Sequence, residues 1–537
     1  MRSATVTRVI RKRGAAALVA ALVAGSLCAG GPRPRAQAAE RGEGGAVPAI
    51  GLPARLGLAL DTVTIPELQA RMADGSLTSS ALTSVYLRRI AAVDPLVHAV
   101  LRTDPTALRQ AAASDARHRR GAARGPLDGI PVLLKDNVDT RGLSSTAGSL
   151  ALAGSPPETD AALVTRLRAA GAVVLGKTNL SEWANFRADK PTSGWSAVGG
   201  QTRNPYVLDR NPCGSSSGSA AALAASLAQV AIGTETDGSV VCPAGMNGVV
   251  GLKPSLGLVS GAGVVPISAE QDTAGPMART VVDTALTLAV LSGTAPSPAG
   301  PGGLRGKRIG LWRLPSLGPR VDALMSRTAA ALRTAGAEVV EVVPPYQDRI
   351  AELEYPALLS EFHRDLDRYL ATRSGPRDLA GLIAFNRAHP AERTCFAGQE
   401  LFEKALAAPP TTDPRYRAGR AELTELARRS IDETLAAHRL DALAAPTNPP
   451  AWPTDCARGD NDIIPSSTPA AVAGYPSLSV PAGALDELPV GLLLTAGDRQ
   501  DARLLALGAA VERTLHAWRA PRYLPTLPVP PAEGAGS

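Results

Sequence analysis

Two serine-bearing loops, with Ser215 and Ser239 standing 24 residues apart, hold the side chains most suited to chemistry. The first reads Cys213-Gly214-Ser215-Ser216-Ser217-Gly218-Ser219, the second Gly233-Thr234-Glu235-Thr236-Asp237-Gly238-Ser239. Upstream, Lys135 closes the apolar run Ile130-Pro131-Val132-Leu133-Leu134. Burial at the end of such a strand disfavours the ammonium form, and a neutral lysine is a general base. The set therefore points to a hydrolase that activates serine without histidine. Asp136 offers a competing arrangement, an ion pair that would make Lys135 structural. The first loop can equally be a serine-rich helix cap, with Gly214 and Gly218 supplying unusual backbone angles. In the second loop, consecutive backbone N–H groups beside a hydroxyl suit a nucleophile with its oxyanion hole, or an ordinary turn.

Other chemistries fit less well. A Gly-x-Ser-x-Gly elbow centred on Ser216 needs a strand just before it and a late histidine. Asn211-Pro212 argues against the strand. The six histidines, His98, His118, His363, His389, His438 and His516, lie in polar segments away from both loops. The glycine spacing matches neither a dinucleotide fingerprint nor a P-loop. No short Cys-x-x-Cys or Cys/His cluster supports a zinc site, so no metal and no cofactor is expected.

Outside the two loops, residues 1–39 have the layout of a secretory signal. A basic stretch ends at Arg13, an apolar stretch follows to about Ala29, and Ala36-Gln37-Ala38 is a small-residue cleavage site. These residues carry seven of the basic groups and no acidic ones, leaving the rest of the 537-residue chain with 49 of each sign. The net charge of +7 thus belongs to the leader, and the neutral body gives no case for nucleic-acid binding. An exported protein, periplasmic or extracellular, with no stable membrane insertion after processing, is expected. Four cysteines follow the leader. Cys213 with Cys242 can bond only if the serine loops meet; Cys395 with Cys456 is the other pairing, and four free thiols the alternative.

The elements that must position the loops alternate in βα style. A lead-in covers residues 40–59. Helices are expected over 108–123, 161–169, 219–230, 282–291, 320–335 and 501–518. Strands are expected over 130–135, 172–176, 249–252, 264–267, 308–311, 337–341, 442–446, 477–480 and 490–494. Residues 346–440 read as mainly helical, a layer over the sheet or a lid. Residues 521–537 read as a Pro-rich tail. This alternation favours an α/β fold, a large sheet covered by helices on both faces, as one domain over residues 60–520. Tyr355, Phe362 and Trp452, on 346–440 and 448–470, are candidates for a substrate wall or for core packing.

Taken together, several runs resemble the amidase signature family. They are Gly129-Ile130-Pro131-Val132-Leu133-Leu134-Lys135-Asp136, Gly176-Lys177-Thr178-Asn179, Asn204-Pro205-Tyr206 and both serine loops. Asp272-Thr273-Ala274-Gly275-Pro276-Met277-Ala278-Arg279, Gly474-Tyr475-Pro476 and Leu488-Pro489-Val490-Gly491 follow in the same order. The resemblance implies that fold, with a large mixed sheet, and a Ser-Ser-Lys triad. Lys135 would be the unprotonated base, Ser215 the bridging serine after a cis peptide at Gly214, and Ser239 the nucleophile. The N–H groups of Thr236, Asp237, Gly238 and Ser239 would form the oxyanion hole, with Gly214, Ser216 and Gly218 supporting the loop. Two departures stand out. Cys213 and Ser217 replace glycines common in the family, and Ser239-Val240-Val241 lacks the arginine that often follows the nucleophile. The missing arginine weakens a reading as the amidotransferase subunit that modifies charged tRNA. The Cys242-Pro243-Ala244 run is most similar to a secreted bacterial subgroup that includes peptide amidases. The implied substrate is a small amide or C-terminal peptide amide. Aryl acylamidase or other small-amide hydrolysis is the alternative, and a non-catalytic binding protein on the same fold the remaining one. The sequence leaves the oligomeric state open.

Overall fold

A strand buried on both faces is mostly apolar, and the central segments are so except near their C-terminal ends, where Lys135, Thr234, Glu235 and Thr495 stand. Pro131–Lys135, Val230–Glu235 and Leu488–Thr495 are buried at every position. The computed structural model describes residues 58–295, 302–395, 398–461 and 465–528, within one unit spanning Val47–Ser537. The expected leader, most of the lead-in and the end of the tail lie outside the described residues.

Eleven strands form one mixed sheet. Their spatial order is Val100–Thr103, Val173–Thr178, Pro131–Lys135, Val230–Glu235, Thr273–Ala278, Val250–Lys253, Ser477–Leu485, Leu488–Thr495, Ala442–Pro446, Arg308–Leu311 and Glu338–Glu341. Pro131–Lys135 runs parallel to both neighbours, Val173–Thr178 and Val230–Glu235. A second parallel trio closes the far side, and antiparallel pairs join the two. Helices flank this sheet, so the expected α/β architecture is the observed one.

Two local expectations are corrected. The helix expected over 219–230 is Ser217–Ala224. Ser226 takes a left-handed φ of 55°, and Val230 pairs in the sheet with Val132 and Ala278. Sheet pairing on both edges outweighs the helical preference of the preceding alanines. Residues 264–267 form no strand; Val264 makes one bridge to Val138, and the rest is a loop beside the second serine loop. The first part of the expected tail is anchored. Tyr523 and Leu524 donate their N–H groups to the carbonyls of Pro205 and Tyr206, and Leu524 accepts from Leu208.

The 346–440 region is built from the helices Gln347–Leu370, Leu379–Ala388, Glu400–Ala407 and Pro414–His438. Leu358, Phe362, Leu366, Leu382 and Phe402 give it an apolar core of its own, which also takes in Trp183 and Phe186. That core sets the Gln347–Leu370 helix over the loops that follow the parallel strands. A disulfide, Cys395–Cys456, ties this region to the segment carrying Trp452.

Candidate active site

Lys135 ends its strand fully buried. Its Nζ lies 2.7 Å from Ser215 Oγ, 2.8 Å from Thr234 Oγ1 and 3.2 Å from the Thr234 carbonyl. All three partners are uncharged. Asp136 lies 3.6 Å from Lys177 and accepts from Thr146. The competing ion pair with Lys135 therefore does not form. Burial pushes the Lys135 ammonium down to about 7, against the opposing pull of Asp272 and Glu235. Two further buried lysines are tied to main-chain oxygens: Lys177 to Val138, and Lys253 to Tyr475 at 2.6 Å.

The first serine loop is stitched to the strand that feeds the second. Ser216 Oγ accepts from the Thr234 N–H and donates to the Thr234 carbonyl, each at 3.1 Å. Ser219 Oγ donates to the Ile232 carbonyl at 3.0 Å, and Ser217 Oγ to the Cys213 carbonyl at 2.6 Å. The Gly214–Ser215 peptide bond is cis. Glycine is required by crowding here: a Cβ at Gly214 would collide with the Ser181 hydroxyl, and one at Gly218 would sit 2.5 Å from the carbonyls of Ala99 and Asn179. The loop leads into the helix Ser217–Ala224, but no serine side chain caps that helix; the hydroxyls of Ser216, Ser217 and Ser219 bond to main-chain carbonyls instead.

In the second loop, Glu235 shapes the turn. Its carboxylate accepts from the N–H groups of Val240 and Val241 at 2.7 and 3.0 Å, straight after Ser239. Ser216 N–H donates to the Ser239 carbonyl at 3.1 Å, joining the two loops. The N–H groups of Thr236, Asp237, Gly238 and Ser239 donate to no acceptor among the described residues. Thr236 Oγ1 donates to Asp272 at 2.5 Å. Burial pushes the Asp272 carboxyl up to about 7.

Cys213 and Cys242 form a disulfide between the loops, so the meeting that their pairing requires takes place. Cross-linking residues 29 apart restricts the unfolded chain by about 3.5 kcal/mol. Replacing both cysteines with serine should lower stability by that order. A fall in the urea midpoint, with a slope that rises as the uncrosslinked unfolded chain expands, checks it.

A cavity of about 460 Å³ opens over Ser239, lined by Thr236, Asp237, Gly238, Gly214 and the Cys213–Cys242 bridge. Its walls come from residues 184–186, from Ala351 and Leu358 of the Gln347–Leu370 helix, and from Trp452, Asp460, Ser467 and Thr468. Of the three aromatic candidates, Trp452 lines it. Phe362 does not: it is fully buried, stacked on Phe402 at 5.5 Å and against Phe186 at 4.8 Å. Tyr355 is 39% exposed and stands behind Phe186, with ring centres 6.3 Å apart. The apolar period of the helix carries Phe362 into the core instead. None of the six histidines lines the cavity. Sequence reasoning missed Thr234, which holds the Lys135 amine, and Asn137, which donates to Thr234 Oγ1 at 2.9 Å. It also missed Ser467 and Thr468, whose hydroxyls bind Asp237. Thr234 lies inside the quoted second loop, but nothing in the sequence marks Ser467 or Thr468.

Among the described residues, no group of His, Cys, Asp and Glu is placed to hold a metal, and no helix is long and apolar enough to cross a membrane. The family model described as Amidase matches residues 81–505. The native peptide amidase from Stenotrophomonas maltophilia superposes with a TM-score of 0.81 at 51% identity, covering 86% of this chain and 98% of that one. A probable amidase of Arabidopsis thaliana is 37% identical over 87% of this chain and 92% of its own length. A glutamyl-tRNA(Gln) amidotransferase subunit of Roseiflexus castenholzii is 36% identical over 84% of this chain and 95% of its own.

Proposed function

The chain belongs to the amidase family of hydrolases, and from that premise we propose that it hydrolyses C-terminal peptide amides with release of ammonia, through Lys135, Ser215 and Ser239. The observation that carries this reading is the buried Lys135–Ser215 contact of 2.7 Å beside the Ser239 loop, with no carboxylate among the hydrogen-bond partners of Lys135. In the proposed reaction Lys135, neutral, takes the proton of Ser215, and Ser215 takes that of Ser239. The link between the two serines forms on substrate binding, since catalytic hydrogen bonds often tighten only in the complex. Ser239 Oγ bonds to the amide carbonyl carbon, and the N–H groups of residues 236–239 receive the oxyanion. The C–N bond then breaks, with the proton returned through Ser215 to ammonia. Water repeats the sequence on the ester and frees the acid. This chemistry draws on no metal or cofactor.

The 51% identity to a peptide amidase over most of both chains favours peptide amides. Aryl acylamides and other small amides are the second substrate class, because the Trp452 and Phe186 walls suit an aromatic acyl or amine group. The amidotransferase subunits share the family at lower identity. Val241 stands where that role would favour arginine, and the body's net charge of zero makes no general electrostatic case for tRNA. Two disulfides and the leader composition support export to an oxidising compartment. Wild-type protein should release ammonia from a peptide amide at least about tenfold faster than amine from the matching anilide, read as kcat/KM. Turnover of the anilide alone would reverse the substrate ranking.

A further inference from the structure

A neutral amine carries two N–H groups and one lone pair. In the proposed reaction the lone pair must face Ser215 Oγ, 2.7 Å from Lys135 Nζ, so both N–H groups need acceptors elsewhere. One residue supplies both. The Thr234 carbonyl oxygen lies 3.2 Å from Nζ, and the Thr234 hydroxyl oxygen 2.8 Å. The strand Val230–Glu235 fixes the carbonyl, but not the hydroxyl. A threonine side chain that turns about its Cα–Cβ bond exchanges hydroxyl for methyl. A methyl group against Nζ would leave one N–H without an acceptor. That N–H could then turn to Ser215 Oγ and displace the lone pair.

Asn137 holds the hydroxyl in place. Its Nδ2 donates to Thr234 Oγ1 at 2.9 Å. Among the described residues this is the one hydrogen bond of the Asn137 side chain, and Oδ1 has no partner there. The main chain aims the amide. Val138 N–H donates to the Lys135 carbonyl at 3.0 Å, closing a turn that brings Asn137 back to the end of the strand. Val265 N–H donates to the Asn137 carbonyl at 2.9 Å. Parallel pairing of Leu134 with Ile232 sets that turn beside Thr234. Asn137 and Thr234 are 3% and 7% exposed, so their bond is shielded from bulk water.

We propose that Asn137 is a positioning residue for the hydrolysis: it holds the Thr234 hydroxyl on Lys135 Nζ, and Thr234 in turn aims the lysine lone pair at Ser215. The Asn137 side chain forms no hydrogen bond to Lys135, Ser215 or Ser239 and acts through Thr234. The assignment rests on Lys135 as the base and Ser239 as the nucleophile.

The test compares wild type, Asn137→Leu, Thr234→Val and the double variant on one peptide amide. Ammonia release is the readout, and kcat is referred to folded protein. Asn137→Leu should lower kcat by about tenfold, the scale of one hydrogen bond, and leave KM within about twofold. Its melting temperature should stay close to wild type, because leucine keeps the branched outline and Thr234 Oγ1 keeps the Lys135 amine. Thr234→Val should lower kcat by about 100-fold. In the Thr234→Val background the Asn137 change should cost less than about twofold, because the hydroxyl it acts through is gone. Asn137→Ala should give the same pattern, and decides the matter if leucine crowds the turn. An unchanged kcat in the Asn137 variants, a rise in KM alone, or a tenfold loss that persists beside Thr234→Val overturns the assignment. In each of these cases, wild-type turnover that disappears in Ser239→Ala leaves the amidase reading standing. Absence of wild-type turnover overturns both.

Discussion

Ser239→Ala should cut kcat/KM for a peptide amide by about 10⁴-fold or more, the scale seen when a nucleophile acting as part of a unit is removed. The same substitution should leave the fold intact. Ser239 is 8% exposed at the cavity floor, and its hydroxyl is engaged by no described residue, so alanine orphans no buried partner. A melting temperature close to wild type, together with the lost turnover, separates a chemical role from a structural one. The residual rate would come from the N–H groups of residues 236–239 and from binding.

Lys135→Met should lower kcat/KM by about 10³-fold, the range of a positioned general base, with its effect greatest above neutral pH. Only the neutral amine can take the Ser215 proton. Because burial holds the Lys135 pKa at about 7, wild-type kcat/KM should rise with pH through about 7 and then level off. The variant should lose that limb. Stability follows the same sign. The folded chain releases this proton near 7 and the unfolded chain only near 10.5, so this group makes folding more favourable as pH rises across that window. A pH profile of kcat/KM on both proteins checks the limb. A flat wild-type profile from about pH 5 to 9 would contradict the neutral-lysine base.

The meeting of Lys135 with the two serine loops was legible where the sequence concentrates these residues. Lys135 at the end of an apolar strand and two serine loops close in sequence pointed to one site, and parallel pairing of Pro131–Lys135 with Val230–Glu235 explains why. Parallel neighbours deliver their C-terminal ends to the same edge of the sheet, so a residue ending one strand meets the loop ending the next. What stayed illegible depends on partners distant in the chain. Asp136 was a plausible mate for Lys135 until Lys177, on the adjacent strand, took it. Phe362 and Trp452 are equally aromatic in the sequence, but helix phase buries Phe362. Residues 264–267 have strand composition, yet only Val264 finds a bridge, to Val138, and Ile267 becomes cavity wall. Ser467 and Thr468 reach Asp237 across 230 residues of chain, a distance that no local pattern encodes.

The most direct test of the proposed mechanism is to trap the acyl-enzyme. Wild-type protein turning over a peptide ester or amide is quenched in acid, digested and mapped by mass. The acyl group is expected on Ser239, within the tryptic peptide 211–279, since Pro254 blocks cleavage after Lys253, and on no residue of Ser239→Ala. An adduct on Ser215 or Ser216, or full turnover by Ser239→Ala, would contradict the assignment of Ser239 as nucleophile.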